Sequence, residues 1–204
     1  FPKTPGRDGA GHVVGLGAGV DDLAIGARVC VVAPRTSGTA ATLIACPRPL
    51  VVAAPPTLTM EEAGALLQPG LSAFIAMVET AALSDGMRVL VHGGAGAVGG
   101  LMVQLARQRD ATVTATCRAA NRDYVTELGA HRAIAYDGED FTTIEPQDVV
   151  FDLIGGAVHA RSYAVLRDGG HMVYLVAEPF EERRERGIRV TRAAIADRPE
   201  VIAA

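Results

Sequence analysis

Val89-Leu90-Val91-His92-Gly93-Gly94-Ala95-Gly96-Ala97-Val98-Gly99-Gly100 decides how the rest of this 204-residue chain is read. A short apolar run leads into a glycine cluster, and a helical pattern follows over 98–109. The cluster holds an intact G-x-G-x-x-G at Gly94, Gly96 and Gly99. In such a turn the first glycine allows a tight exit from the strand, the second lets backbone approach a pyrophosphate, and the third lets the helix pack closely on the strand. The helix start then offers unpaired N–H groups and the positive end of its dipole to phosphates. Alone the motif is weak, because glycine-rich turns are common. Lodged between a buried strand and a helix that opens a βαβ series, it predicts dinucleotide binding.

The series is present. Downstream of the motif, strands are expected over 112–116, 133–136, 148–154 and 171–176, with a sixth over 188–195. Helices are expected over 121–128 and 157–166. Strands that read as continuous apolar runs and alternate with helices indicate a parallel sheet covered on both faces, a doubly wound (Rossmann) α/β domain. Upstream the grammar differs. Short extended runs at 12–14, 28–32 and 50–54, separated by Gly15-Leu16-Gly17-Ala18-Gly19 and Ile25-Gly26-Ala27, read as an antiparallel β region. Pro55-Pro56 ends it, which divides the chain into a partial β domain over 1–56 and a nucleotide-binding domain over 57–204. Past that boundary Thr59 is placed to cap a helix with Glu61 and Glu62 in its first turn, and a second helix is expected over 72–82.

The dinucleotide is chosen at the end of the second strand, about 20 residues past the motif, where an acid would grip the ribose 2′-hydroxyl of NAD. Here the strand ends Thr116-Cys117-Arg118, with Thr116 a candidate cofactor contact, and no acid appears before Asp123. Arg118, with Arg122 one turn later, offers guanidinium forks suited to a 2′-phosphate. The expected cofactor is therefore NADP(H).

Composition narrows the field. With 49% hydrophobic and 21% charged residues the chain is a folded globule, and no apolar run approaches the roughly 20 residues that cross a bilayer. The formal net charge of −4 gives no reason to expect a nucleic-acid or anionic-membrane partner. Cys30, Cys46 and Cys117 are odd in number and widely spaced, which argues against a disulfide scaffold and for a reducing cytoplasm. His12, His92, His131, His159 and His171 show no paired metal-ligand spacing.

Several segments in register resemble the medium-chain dehydrogenase/reductase superfamily, in its zinc-free quinone oxidoreductase (zeta-crystallin-like) branch. They are Pro5-Gly6-Arg7-Asp8-Gly9-Ala10-Gly11, Gly26-Ala27-Arg28-Val29, Gly70-Leu71-Ser72-Ala73, the stretch from Val89 to Gly99, Leu128-Gly129-Ala130, Phe151-Asp152-Leu153-Ile154-Gly155-Gly156 and Leu166-Arg167-Asp168-Gly169-Gly170. The resemblance implies that residues 1–56 are part of a GroES-like domain and that the chain is truncated at both ends.

It also implies cofactor contacts. Ala97 and Val98 would present backbone N–H groups to the pyrophosphate, and Tyr136 would lie near the 2′-phosphate. Ser72, Gly155, Leu175 and Val176 would lie along the ribose and nicotinamide. No metal is expected: Gly6-Arg7-Asp8 stands where the zinc enzymes of the family carry Gly-His-Glu, and a protonated arginine cannot ligate zinc. The implied activity is hydride transfer from NADPH to a quinone or α,β-unsaturated carbonyl, with no catalytic side chain identified. Asp8, Tyr163 and Tyr174 are polar candidates without a relay. The alternatives are an enoyl-reductase module of a multidomain synthase and a non-catalytic NADPH-binding protein. In the family the sixth strand pairs across a two-fold axis, so a homodimer through 188–195 is expected.

Overall fold

The computed structural model describes residues 4–34, 36–176, 183 and 185–202. Two sheets carry these residues. The first is antiparallel, in the order β1 (Asp8–His12), β2 (Arg28–Val32), β3 (Val51–Ala53). Alternation along β2 sorts its side chains. Val29 and Val31 join Val51, Val13 and Leu23 on one face, while Cys30 packs with Ala54, Ala63 and Leu67 on the other. Helix α1 (Met60–Gly64) covers that second face. Its start is fixed by a capping box: Glu62 N donates to Thr59 Oγ1 at 3.2 Å and Thr59 N to Glu62 Oε2 at 2.8 Å.

Helix α2 (Leu67–Phe74) begins five residues before the expected 72–82. Gln68-Pro69-Gly70 reads as a helix breaker, yet Pro69 falls in the first turn, where a missing N–H leaves no hydrogen bond broken. The helix then widens into a π-helical segment over Ile75–Thr80, closed by Ala81 N donating to Ala76 O at 3.0 Å. The chain forms two compact units, residues 1–71 with 196–204 and residues 72–195. That division falls after Leu71, rather than at Pro55-Pro56, and the chain's end belongs with its beginning.

The second sheet is parallel throughout, in the order β6-β5-β4-β7-β8-β9. Its strands are β4 (Arg88–His92), β5 (Thr112–Cys117), β6 (Arg132–Ala135), β7 (Gln147–Asp152), β8 (Leu166–Tyr174) and β9 (Arg189–Arg192). Helices α3 (Ala97–Gln108), α4 (Arg122–Glu127) and α5 (Gly156–Ser162) connect them, and α6 (Pro199–Ile202) lies in the first unit.

Both faces are buried. Val89, Val91, Val113, Ala115, Val149, Phe151 and Val173 pack against Met102, Val103 and Ala106 of α3, Val125 of α4 and Met77. Leu90, Val150 and Met172 point the other way, into Phe141, Tyr163, Val165 and Leu166. This two-sided burial is why the strands read as unbroken apolar runs.

Strand positions shift from the expected ranges where chemistry is ambiguous. β1 lies at Asp8-Gly9-Ala10-Gly11-His12, upstream of 12–14, because pairing with β2 selects residues of weak strand propensity. β8 starts at Leu166 and carries an irregularity: Gln147 pairs with Leu166, but Val149 with His171. Gly169, with φ +69°, lies inside that insertion. β8 ends at Tyr174, so Leu175 and Val176 fall beyond it. β9 is shorter than 188–195, although Ala193 N still donates to Tyr174 O at 3.0 Å.

Phe151 is fully buried in the central strand β7. Phe151→Ala is expected to cost about 3–5 kcal/mol of stability, seen as a lower denaturation midpoint in urea with an unchanged slope.

Candidate dinucleotide-binding site

The carboxyl ends of β5, β4, β7 and β8 lie side by side, and the strand order reverses between β4 and β7. That reversal is where open α/β sheets bind ligands. The glycine cluster fills it. Gly93, not Gly94, makes the turn out of β4, with φ +77°. Gly94 is needed for a different reason: a Cβ there would come within 2.8 Å of Ala115 Cβ on β5. A Cβ on Gly99 would be driven into the Gly93 carbonyl, so only glycine lets α3 start this close to the turn. Gly96 is the N-cap of α3, and a side chain there would meet only Gly93 O, at 3.3 Å. Its outer side is open. The first amides of α3, Ala97 and Val98 among them, have no acceptor within the helix and face that opening.

Beneath the turn is a buried polar chain that sequence reading missed. Ser162 Oγ donates to Val158 O at 2.7 Å, so it accepts from His92 Nε2 at 3.0 Å. His92 Nδ1 then accepts from Thr116 Oγ1 at 3.1 Å, and Thr116 Oγ1 accepts from Gly93 N at 3.2 Å. The pattern fixes a neutral imidazole, and burial pushes the His92 pKa down to about 4. Thr116, expected as a cofactor contact, is buried and directs its hydroxyl inward to hold Gly93. Its hydroxyl can act on a nucleotide only through the turn.

A second buried group shapes the loop after β7. Asp152 is wholly buried, and its Oδ1 accepts from Ile154 N and Gly155 N, both at 2.9 Å. Its Oδ2 accepts from His159 Nδ1 at 2.8 Å. Burial alone would raise the carboxyl's pKa. The hydrogen bonds from His159, Gly155 and Ile154 outweigh it and hold the group below the usual range. Gly155, with φ +81°, opens α5 in a conformation that suits glycine. Ile154 is half-exposed and overhangs Gly93. Leu175 N donates to Asp152 O at 3.2 Å, which brings the residue after β8 to the same loop. Val176 follows it, partly exposed, and Ser72 is buried in α2.

At the exit of β5, Arg118 Nε donates to the Tyr136 hydroxyl at 3.1 Å, and Tyr136 is 52% exposed. Among the described residues Arg118 has no ion pair. Arg122 differs, being paired with Glu139. Both oxygens of Asp137 take the Ala119 amide, at 2.9 and 3.3 Å. Neither acid was anticipated, because both enter from β6 rather than from the strand that carries the arginines.

The other polar candidates are engaged elsewhere. Arg7 Nη2 pairs with Asp197 at 2.5 Å. Asp8 Oδ2 accepts from Gln68 N at 3.0 Å, and burial raises the Asp8 pKa. Tyr163 is buried, its hydroxyl accepting from Arg183 N at 3.0 Å. Tyr174 stacks edge-on against His159 at 5.8 Å. Among the described residues there is no cluster of three or more acidic, histidine or cysteine side chains able to hold a metal ion, and no helix long and apolar enough to cross a membrane.

Residues 97–195 match the family model described as zinc-binding dehydrogenase. The human synaptic vesicle membrane protein VAT-1 homolog is 35% identical over 180 residues, which are 85% of this chain and 45% of that protein. Polyketide synthase GfsB of Streptomyces halstedii is 37% identical over 175 residues, 84% of this chain but only 3% of the synthase. Among solved structures, the quinone oxidoreductase from Coxiella burnetii superposes with a TM-score of 0.89 at 30% identity, covering 99% of this chain and 66% of that one. The chain thus spans about half the length of the human relative. The glycine turn, the six-stranded parallel sheet and these matches make the chain a member of the medium-chain dehydrogenase/reductase superfamily.

Proposed function

We propose that this chain belongs to a zinc-independent reductase that transfers hydride from NADPH to a quinone or an α,β-unsaturated carbonyl. The observation that carries the reading is the open glycine turn at the start of α3 beside Arg118, which has no ion pair among the described residues. Its residues fit a nicotinamide dinucleotide. Glycine at position 96 leaves room where a pyrophosphate would approach, and the α3 amides and dipole would hold its charge. When bound, the dinucleotide supplies the hydride, and a proton completes reduction of the acceptor. The chain's own residues bind and orient. His92 and Thr116 hold the turn, Asp152 holds the loop at Gly155, and Ile154 overhangs Gly93. The quinone reading is supported by the Coxiella burnetii structure. The enoyl-reductase alternative is supported by the match to a polyketide synthase, and a preference for enoyl thioesters over quinones would select it. Unpaired Cys30, Cys46 and Cys117 suit the reducing cytoplasm we propose for it.

NADPH is expected to bind at least about tenfold more tightly than NADH, about 1.4 kcal/mol, within reach of one charge-assisted contact. Fluorescence titration checks this. Arg118→Ala should remove the preference, and Gly96→Val should abolish binding of both nucleotides while circular dichroism stays native. Equal affinities in the parent protein would sink the NADPH reading.

Zinc independence rests on Arg7, which stays protonated and is held by Asp197. Elemental analysis of the purified protein should find no stoichiometric zinc, and chelators should leave nucleotide binding unchanged. One zinc retained per chain would overturn this.

The outer position of β9 in the sheet leaves a row of backbone groups for pairing, and a two-fold contact along residues 188–195 would satisfy them without open-ended growth. Light scattering should give twice the 21.2 kDa chain mass, with Val190→Pro shifting the equilibrium toward monomer. A mass of one chain at every concentration would refute the dimer.

A further inference from the structure

We infer that Asp137 is a specificity-determining residue of the nucleotide site: its carboxylate occupies an amide that a ribose 2′-phosphate would use, and so narrows the margin between NADPH and NADH. The inference rests on the dinucleotide site proposed above. In a βαβ unit of this kind the adenosine ribose lies at the end of the second strand, here β5. The donors at that point are the Arg118 guanidinium, the Ala119 amide, the Arg122 guanidinium and the Tyr136 hydroxyl.

Two of the four are already matched with acid. Asp137 accepts from Ala119 N with both oxygens, at 2.9 and 3.3 Å. Glu139 pairs with Arg122. The placement is built by backbone. Tyr136 N donates to Cys117 O at 3.0 Å, which locks the exit of β6 beside that of β5. Gly138 N and Glu139 N both return to Ala135 O, at 3.0 and 2.8 Å, turning the Asp137 side chain toward Ala119. A single negative charge thus stands on the amide at the start of the turn over Ala119–Asn121.

A phosphate monoester carries about −1.5 to −2 at neutral pH. It must displace this carboxylate or share its position, and like charges close together repel. A ribose bearing only the 2′-hydroxyl adds no charge and meets no such opposition. Arg118, the guanidinium not paired with an acid among the described residues, then provides the charge that favours the phosphate, and Asp137 opposes it.

Asp137→Asn tests this, because the amide oxygen can still accept from Ala119 N while the charge is gone. Calorimetric titration with 2′,5′-ADP and with 5′-ADP reads the two cases without requiring turnover. The variant should bind 2′,5′-ADP about fivefold more tightly than the parent, with 5′-ADP unchanged, and the gain should shrink at high salt. Unchanged or weaker binding of 2′,5′-ADP, or a loss confined to 5′-ADP, would overturn the inference; the latter would mean that Asp137 grips the ribose hydroxyl. Asp137→Ser, which also keeps an acceptor, gives the same reading should the Asn variant fail to fold. Arg118→Ala in the same titrations separates the two claims. If it is silent while Asp137→Asn gains, the role given to Arg118 fails and that of Asp137 stands. If the parent protein binds neither ligand, both fail.

Discussion

The close approach of Gly99 to the Gly93 carbonyl governs the nucleotide end of the sheet. Any Cβ at position 99 would enter that carbonyl, so α3 can begin where it does only because the position carries no side chain. The start of α3 fixes where its first amides and its dipole point. It also sets how Met102, Val103 and Ala106 reach Val89, Val91 and Phe151. A packing requirement and a binding requirement are met by one missing atom. Gly94 repeats the logic against Ala115 of the neighbouring strand, which ties the turn to β5 as well as to β4.

A turn so rich in glycine loses much entropy on ordering, and something must hold it. The polar chain beneath it does. Gly93 N is bound by Thr116, Thr116 by His92, and His92 by Ser162 of α5, so β4, β5 and α5 are connected under one backbone amide. The three side chains of this chain, Thr116, His92 and Ser162, are buried, and burial keeps His92 neutral, which the donor–acceptor order requires. Asp152 does for the loop at Ile154 and Gly155 what Thr116 does for Gly93. A single sheet edge therefore carries two loops, each held from below by a side chain that does not itself reach the opening.

The parallel sheet was legible because its information is local and redundant. The apolar runs of β4, β5 and β7, each buried on both faces, cannot easily be taken for anything else, and the strand expected over 112–116 is found at Thr112–Cys117. Legibility failed where tertiary context decides. Pro69 reads as a breaker until its place in a first turn is known. The three small residues of β1 show no strand preference, and pairing with β2 selects them. In the site, the glycines and Arg118 announce themselves by type and spacing. Thr116 has the spacing of a ligand contact, but its direction is inward, and direction is not written in a spacing.

The acids at the exit of β6 show the same limit from the other side. Asp137 and Glu139 lie 18 and 17 residues from their partners Ala119 and Arg122 in the chain, so reading along the second strand finds two cations and no acid. Parallel crossover places the end of β6 beside the end of β5, and two carboxylates arrive with it. The charge a ligand meets there is set by strand order as much as by the residues that follow the motif. A rule that looks for one acid at the end of one strand captures half of that arrangement. The other half belongs to the neighbouring strand, where the Ala119 amide and the Arg122 guanidinium already have their counter-charges.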